Sequence, residues 1–143
     1  MLDHSRIRDR LAAIRKRLQL LKETAAKTNE ASFLASADIA DAAEYRLQVA
    51  IQACLDIAAH IVSQAAMEKP KRENKELFLI LYKLGVIDKK LAQKLAKMAG
   101  MRNILVHEYL SVAREKVYQA IKYELGDIIK YCQKIEEFLE SQK

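Results

Sequence analysis

Tyr45-Arg-Leu-Gln-Val-Ala-Ile-Gln-Ala-Cys-Leu-Asp-Ile-Ala-Ala-His60 is the stretch on which the fold turns. Leu47, Ile51, Cys54, Leu55 and Ala58 return within it every three or four residues, the repeat of one helical face. The same pattern reaches from about Ser36 to Met67 through Ile39, Ala43 and Ile61/Val62, which is far too long for a strand. Its many alanines let neighbouring helices approach closely, and the apolar stripe is broad enough to touch partners on more than one side. A long central helix is therefore predicted. Asp56 and His60 stand four apart in it and are expected to meet on one face, either as a structural tie or as an acid–base couple.

Outward from this helix the chain repeats the theme. Ile7, Leu11, Ile14, Leu18 and Leu21 alternate intervals of four and three, giving a first helix whose flanks carry Arg6, Arg8, Arg10, Arg15, Lys16, Arg17 and Lys22. Those cations read most simply as a solvated flank, with an RNA-contacting rail as the other reading. The basic run Lys69-Pro-Lys-Arg-Glu-Asn-Lys75 holds the single proline and is predicted to be a loop. Asn74 is placed as an N-cap for a short helix through Leu77, Phe78, Leu81 and Leu84, closed by Gly85, and Asp88 as the cap of the next. Leu91, Leu95 and Met98 continue a stripe to Gly100, where a bend or a close approach is expected. Ser111 opens a last helix carrying Val117, Ile121, Leu125, Ile128, Cys132, Ile135 and Leu139 inward. The expectation is an all-α antiparallel bundle of four or five main helices.

Composition agrees. A chain of 143 residues suits a single domain spanning 1–143. With 51% hydrophobic residues it has a core, which excludes wholesale disorder, and 3 Gly with 1 Pro cannot supply the turns of an all-β fold. The net charge of +6 makes polyanions candidate partners without specifying any. Cys54 and Cys132 are isolated thiols, so a structural zinc site is excluded. The absence of an apolar leader core or of a run of ~18 apolar residues points to a cytoplasmic protein with no membrane span.

Residues 100–110, Gly-Met-Arg-Asn-Ile-Leu-Val-His-Glu-Tyr-Leu, are chemically unlike their surroundings. Arg102, Asn103, His107 and Tyr109 interrupt an apolar run, and polar groups placed there need partners. If the segment is helical, Asn103 and His107 share a face, whereas Arg102 and His107 diverge by roughly 140°. One protomer would aim them apart. An Arg, an Asn, a His and a Tyr around one pocket would offer a cation for phosphate, an amide to orient a hydroxyl and an imidazole titrating near neutrality. Those groups suit RNA cleavage without a metal, in which a base deprotonates the 2′-hydroxyl and a cation stabilises the pentavalent phosphorus. The same residues could instead cap carbonyls or pair with carboxylates at a helix end.

The motif Arg102-Asn-Ile-Leu-Val-His107-Glu-Tyr109 resembles the R-x-x-x-x-H-x-Y signature of the HepT-like toxins, minimal members of the HEPN ribonuclease superfamily. Tyr45 to His60 is similar to that family's second helix, and Leu84-Gly-Val-Ile-Asp88 through Ala99-Gly-Met-Arg102 to its approach to the motif. The resemblance implies a HEPN-type helical bundle that forms a homodimer, with both motifs facing a shared cleft where RNA is cut. It implies Arg102 and His107 as the catalytic pair, Asn103 as a polar assistant, and neither cofactor nor metal. It further implies the toxin role in a type VII HepT/MntA toxin–antitoxin pair, in which the MntA-type nucleotidyltransferase antitoxin transfers AMP to Tyr109. A non-catalytic, nucleotide- or substrate-binding partner of a nucleotidyltransferase is the alternative within the same fold.

Overall fold

The computed structural model describes residues 2–65, 74–107 and 112–142, with side chains at 74, 75, 104–107, 112 and 113 left aside. The described residues form seven helices: α1 (His4–Lys27), α2 (Glu30–Ala35), α3 (Ala37–Ala65), α4 (Asn74–Lys83), α5 (Lys89–His107), α6 (Val112–Tyr123) and α7 (Leu125–Ser141). An all-α chain was expected, but the count of four or five main helices is too low. The polar stretch after α1 holds the six-residue α2, nucleated by a capping box between Asn29 and Ser32. The expected last helix is two. At Glu124 the backbone is distorted within the right-handed region (φ −117°, ψ −3°), and the Asp127 N–H bonds three residues back to the Glu124 carbonyl. Gly126, a weak helix former, adjoins the break.

α3 is central, packing against α1, α4, α5 and α6. Polar ties fix the directions. The Asp3 N–H donates to His60 Nε2 at 3.0 Å and Arg10 lies 3.6 Å from Asp56, so the start of α1 meets the end of α3 and the two run antiparallel. Arg15 to Glu136 (2.9 Å) and Arg8 to Glu140 (3.6 Å) do the same for α1 and α7, and Lys130 to Asp88 with Lys94 to Asp127 for α5 and α7. These exposed pairs orient more than they stabilise, each contributing about 0–1 kcal/mol.

Every apolar position foreseen on α1 is buried, as are Leu47, Ile51, Cys54 and Ile61 on α3 and Ile128, Cys132 and Ile135 on α7. Ile39, near the start of α3, and Leu84, in the turn after α4, are exceptions at 38% and 39% exposure. Tyr131 crosses the core. Its hydroxyl donates to the Cys54 carbonyl at 2.9 Å and its ring meets Phe78 edge-on, with centroids 5.7 Å apart. Phe33, fully buried, pins α2 to Tyr118 of α6.

The turn before α5 follows the sequence reading closely. Gly85 has φ +80°, its N–H bonds the Tyr82 carbonyl, and the Val86 N–H bonds the Leu81 carbonyl, which is the glycine-terminated Schellman arrangement. Asp88 Oδ1 then accepts from the Leu91 N–H at 2.8 Å and caps α5. At Gly100 the helix continues, and nothing lies within 4 Å of where a Cβ would stand, so no close approach occurs there. α4 begins at Asn74 rather than after it. The rest of the Lys69–Lys75 loop, Met67 and the helix opener Ser111 lie outside the described residues. No helix among the described residues is long and apolar enough to cross a membrane.

Candidate active site

α5 carries the motif on one unbroken helix from the Asp88 cap to His107. Leu91, Leu95 and Met98, at intervals of four and three, are each less than 5% exposed and define its core-facing stripe. Four residues further the same stripe arrives at Arg102. A guanidinium thus stands where the register asks for a leucine. Its Nε is buried and has no hydrogen-bond partner among the described residues. Leaving such a donor unsatisfied costs about 1–3 kcal/mol, so packing alone does not select Arg here.

Asn103 is exposed on the adjoining face. His107 is the last residue of α5, and four residues of helix set it on the same side as Asn103 while five set it roughly 140° from Arg102. The helix therefore holds Asn103 and His107 in one register and sends Arg102 inward. Tyr109 lies outside the described residues, as does the side chain of His107. Beside this end of α5 a cavity of about 750 Å³ opens towards α6, with Met101 in its wall. Arg114, near the start of α6, reaches back to Asp41 at 3.8 Å and to the Leu34 carbonyl at 3.4 Å, which ties the chain after the motif to α2 and α3.

The other candidates from the sequence resolve into structure. Asp56 and His60 do not pair: Asp56 takes Arg10 and the Gln52 amide (2.9 Å), and His60 accepts the Asp3 N–H. That bond needs a neutral ring nitrogen, and partial burial together with the nearby Arg6 charge lowers the imidazole pKa below its ordinary value. Both thiols are poor nucleophiles. Burial pushes Cys54 well up and Cys132 up to about 11, so almost no thiolate exists near neutrality. On α1, Arg8, Arg10 and Arg15 pair with acidic side chains of α7 and α3. Among the described residues no cluster of three or more His, Cys, Asp or Glu could hold a metal ion.

Comparison with known proteins shows the family. The profile of the family described as Ribonuclease HepT-like matches residues 14–135. The chain belongs to the HepT-like ribonuclease family. A HepT tRNA nuclease from Aphanizomenon flos-aquae is 35% identical over 96 residues, which cover 67% of this chain and 65% of that protein. A HepT mRNA nuclease from Shewanella oneidensis is 33% identical over 87 residues, 61% of this chain and 65% of that one. The chain thus aligns with just under two thirds of the length of these HepT relatives. In three dimensions it superposes on a tri-AMPylated HEPN toxin of Shewanella oneidensis, solved in complex with its MNT antitoxin. That likeness has a TM-score of 0.83 and 26% identity, covering 96% of this chain and 99% of the toxin.

Reading the sequence alone passed over the cavity. Its α6 wall is made by Glu115, Lys116, Gln119 and Tyr123, which carry no motif and read as an ordinary outward face. Arg102 stands out in the sequence through the motif and as a polar interruption of the apolar run 100–110.

Proposed function

We propose that this HepT-like protein is the toxin of a HepT/MntA-type toxin–antitoxin pair and acts as an endoribonuclease. The observation that carries the reading is the core-register Arg102, whose buried Nε has no partner among the described residues, five residues before His107 on an unbroken helix. A half-buried guanidinium whose Nε has no partner among the described residues suits an oxyanion of the RNA backbone.

The site is built by two copies of the chain facing one cleft. Because the helix aims Arg102 and His107 apart, a twofold partner brings the His107 of one copy towards the Arg102 of the other. His107 takes the proton of a ribose 2′-hydroxyl, whose oxygen bonds to the adjacent phosphorus while the bond from phosphorus to the 5′-oxygen breaks. The departing 5′-oxygen receives a proton, so the products are a 2′,3′-cyclic phosphate and a 5′-hydroxyl. Arg102 neutralises the charge that grows on the pentavalent phosphorus, and Asn103 orients the attacking ribose. No metal or cofactor enters this scheme.

Tyr109 is the switch. The Shewanella relative is tri-AMPylated and bound to its antitoxin, and the same chemistry here transfers AMP to the phenolic oxygen, which attacks the α-phosphorus of a nucleoside triphosphate and releases pyrophosphate. The added phosphates repel RNA and fill the cleft.

Cleavage of labelled tRNA and mRNA transcripts in EDTA, by protein freed of AMP, tests the reading. Wild-type protein is expected to yield 2′,3′-cyclic ends, and His107→Ala to yield no cleavage. Equal cutting by both, or cutting by neither, overturns it.

A further inference from the structure

The cavity beside the motif has the chemistry of a nucleobase pocket. About 750 Å³ in volume, it lies between α5 and α6 and falls within the range of ~300–1,000 Å³ typical of small-ligand sites. Its lining surface is mostly apolar, with Lys97, Glu115, Lys116, Gln119 and Glu124 supplying polar groups. Met98 and Met101 project from α5, and Tyr123, 72% exposed, closes the α6 side. A large exposed aromatic at the mouth of an apolar slot is a stacking platform, since every base has an apolar face. Gly100 lines the same slot, and nothing stands within 4 Å of where its Cβ would be, which leaves room for a flat ring against the helix.

Its polar groups are placed like the edge contacts of a base site. Glu115 and Gln119, one turn apart on α6, both line the cavity. Lys97 and Lys116 line it from α5 and α6. None of these four side chains, nor the Tyr123 hydroxyl, makes a hydrogen bond or ion pair among the described residues, in contrast to the engaged charges of the α1–α7 seam. Location links the slot to the chemistry: Met101 directly precedes Arg102, and Gly100 is one turn before Asn103.

We propose that this cavity binds an unpaired nucleobase of the substrate RNA, that of a nucleotide flanking the cleaved phosphate. The inference rests on the ribonuclease reading and adds a specificity subsite to it. Met101 and Tyr123 hold the faces of the ring, and the two lysines meet the phosphates on either side of it. Glu115 and Gln119 read its Watson–Crick edge. Guanine fits best, because its N1–H and N2–H lie side by side and match the two oxygens of a carboxylate, with Gln119 free to donate to O6.

The test uses the intact protein and an RNA whose cleavage position has been mapped. Wild-type protein is compared with Tyr123→Ala and Glu115→Gln on that RNA and on versions carrying an abasic nucleotide at each position flanking the cut. One abasic position is expected to lower kcat/KM by about 10–100-fold, chiefly through KM, as befits loss of a stacked base. Tyr123→Ala is expected to lose as much on the normal RNA and almost nothing more on that abasic one, and Glu115→Gln to relax the preference for guanine at the same position. Unchanged cleavage rates and positions in both variants overturn the proposal. So does a Tyr123→Ala protein that turns monomeric in light scattering, because a second copy would then be filling the slot. Failure of the ribonuclease reading is separately visible. If wild-type protein cuts no RNA, anisotropy of guanine-containing and abasic oligonucleotides still reads the slot, and equal affinity for the two overturns it.

Discussion

α3 and α5 each carry histidine-bearing polar interruptions on an apolar helix, and they differ in what those groups have found. On α3, Asp56 is held by Arg10 and Gln52, and His60 by the Asp3 backbone. On α5, Arg102 sits on a core stripe with a buried donor that has no partner among the described residues, and Asn103 stands exposed beside it. The two helices are equally regular, so regularity does not separate structure from chemistry. Their polar groups differ in satisfaction: those of Asp56 and His60 hold helices together, whereas the Arg102 Nε, like that of Arg17 on α1, has no partner among the described residues, and at Arg102 it adjoins the motif.

The sharpest way to break this contrast is to exchange the roles. His107→Ala is expected to reduce RNA cleavage by about 10²–10⁴-fold, the usual contribution of a general acid or base, with little change in thermal stability. Arg102→Ala is expected to fall by about 10²–10³-fold, as when one oxyanion-stabilising group is lost. His60→Ala should leave the cleavage rate unchanged and lower the melting temperature. A His60 variant with a dead site and an undisturbed fold would put the chemistry on α3 instead.

A buried satisfied group gives the next effect in size. Tyr131→Phe keeps the ring against Phe78 but removes the hydroxyl that donates to the Cys54 carbonyl. Urea unfolding is expected to show a loss of about 1 kcal/mol with an unchanged m-value, and cleavage to persist.

Acid sharpens the comparison further. The pKa of His60 is lowered in the folded protein from its ordinary 6.5, chiefly by burial and then by Arg6. As pH falls below that value the unfolded chain takes up the proton before the folded one does, so the stability contributed by the neutral ring is present above it and is lost as pH descends through the folded pKa. Denaturation between about pH 7.5 and 5.5 should show that decline in wild-type protein and a smaller one in His60→Gln, which keeps an acceptor but does not titrate. The smallest effect is reserved for the α1–α7 seam. Glu136→Gln, which removes the partner of Arg15 and one of the two carboxylates beside Arg8, is expected to cost about 0–1 kcal/mol and less at high salt.

Much of this molecule is legible in its sequence, for reasons visible in individual residues. The spacing of Ile7 to Leu21 and of Leu47 to Val62 can be satisfied only by long amphipathic helices. Gly85 and Asp88 announce a turn whose hydrogen bonds are local. Glu124 hid the division of α6 from α7, because a one-residue break leaves the inward stripe Ile121, Leu125, Ile128 uninterrupted. Asn29 and Ser32 form a local capping box, yet the run around them reads only as polar. The α5 motif stands out because polar residues interrupt an apolar run in the pattern of a family signature. Nothing comparable marks Glu115, Gln119 and Tyr123, whose common cavity is created by the packing of α6 beside α5. Nor does i,i+4 spacing reveal that Asp56 and His60 turn to different partners on α1, since tertiary neighbours decide between equally reachable bonds.

The most direct test of the central claim, that Arg102 and His107 act together across two copies of the chain, is to mix two inactive proteins. Arg102→Ala and His107→Ala, co-refolded in equal amounts, place an intact Arg102 opposite an intact His107 at one site of each mixed dimer. Random pairing is expected to restore about one quarter of wild-type cleavage, since half the dimers are mixed and each holds one of two sites. A mixture as inactive as its components, with mixed dimers verified by mass, would contradict the account and place both groups within a single copy.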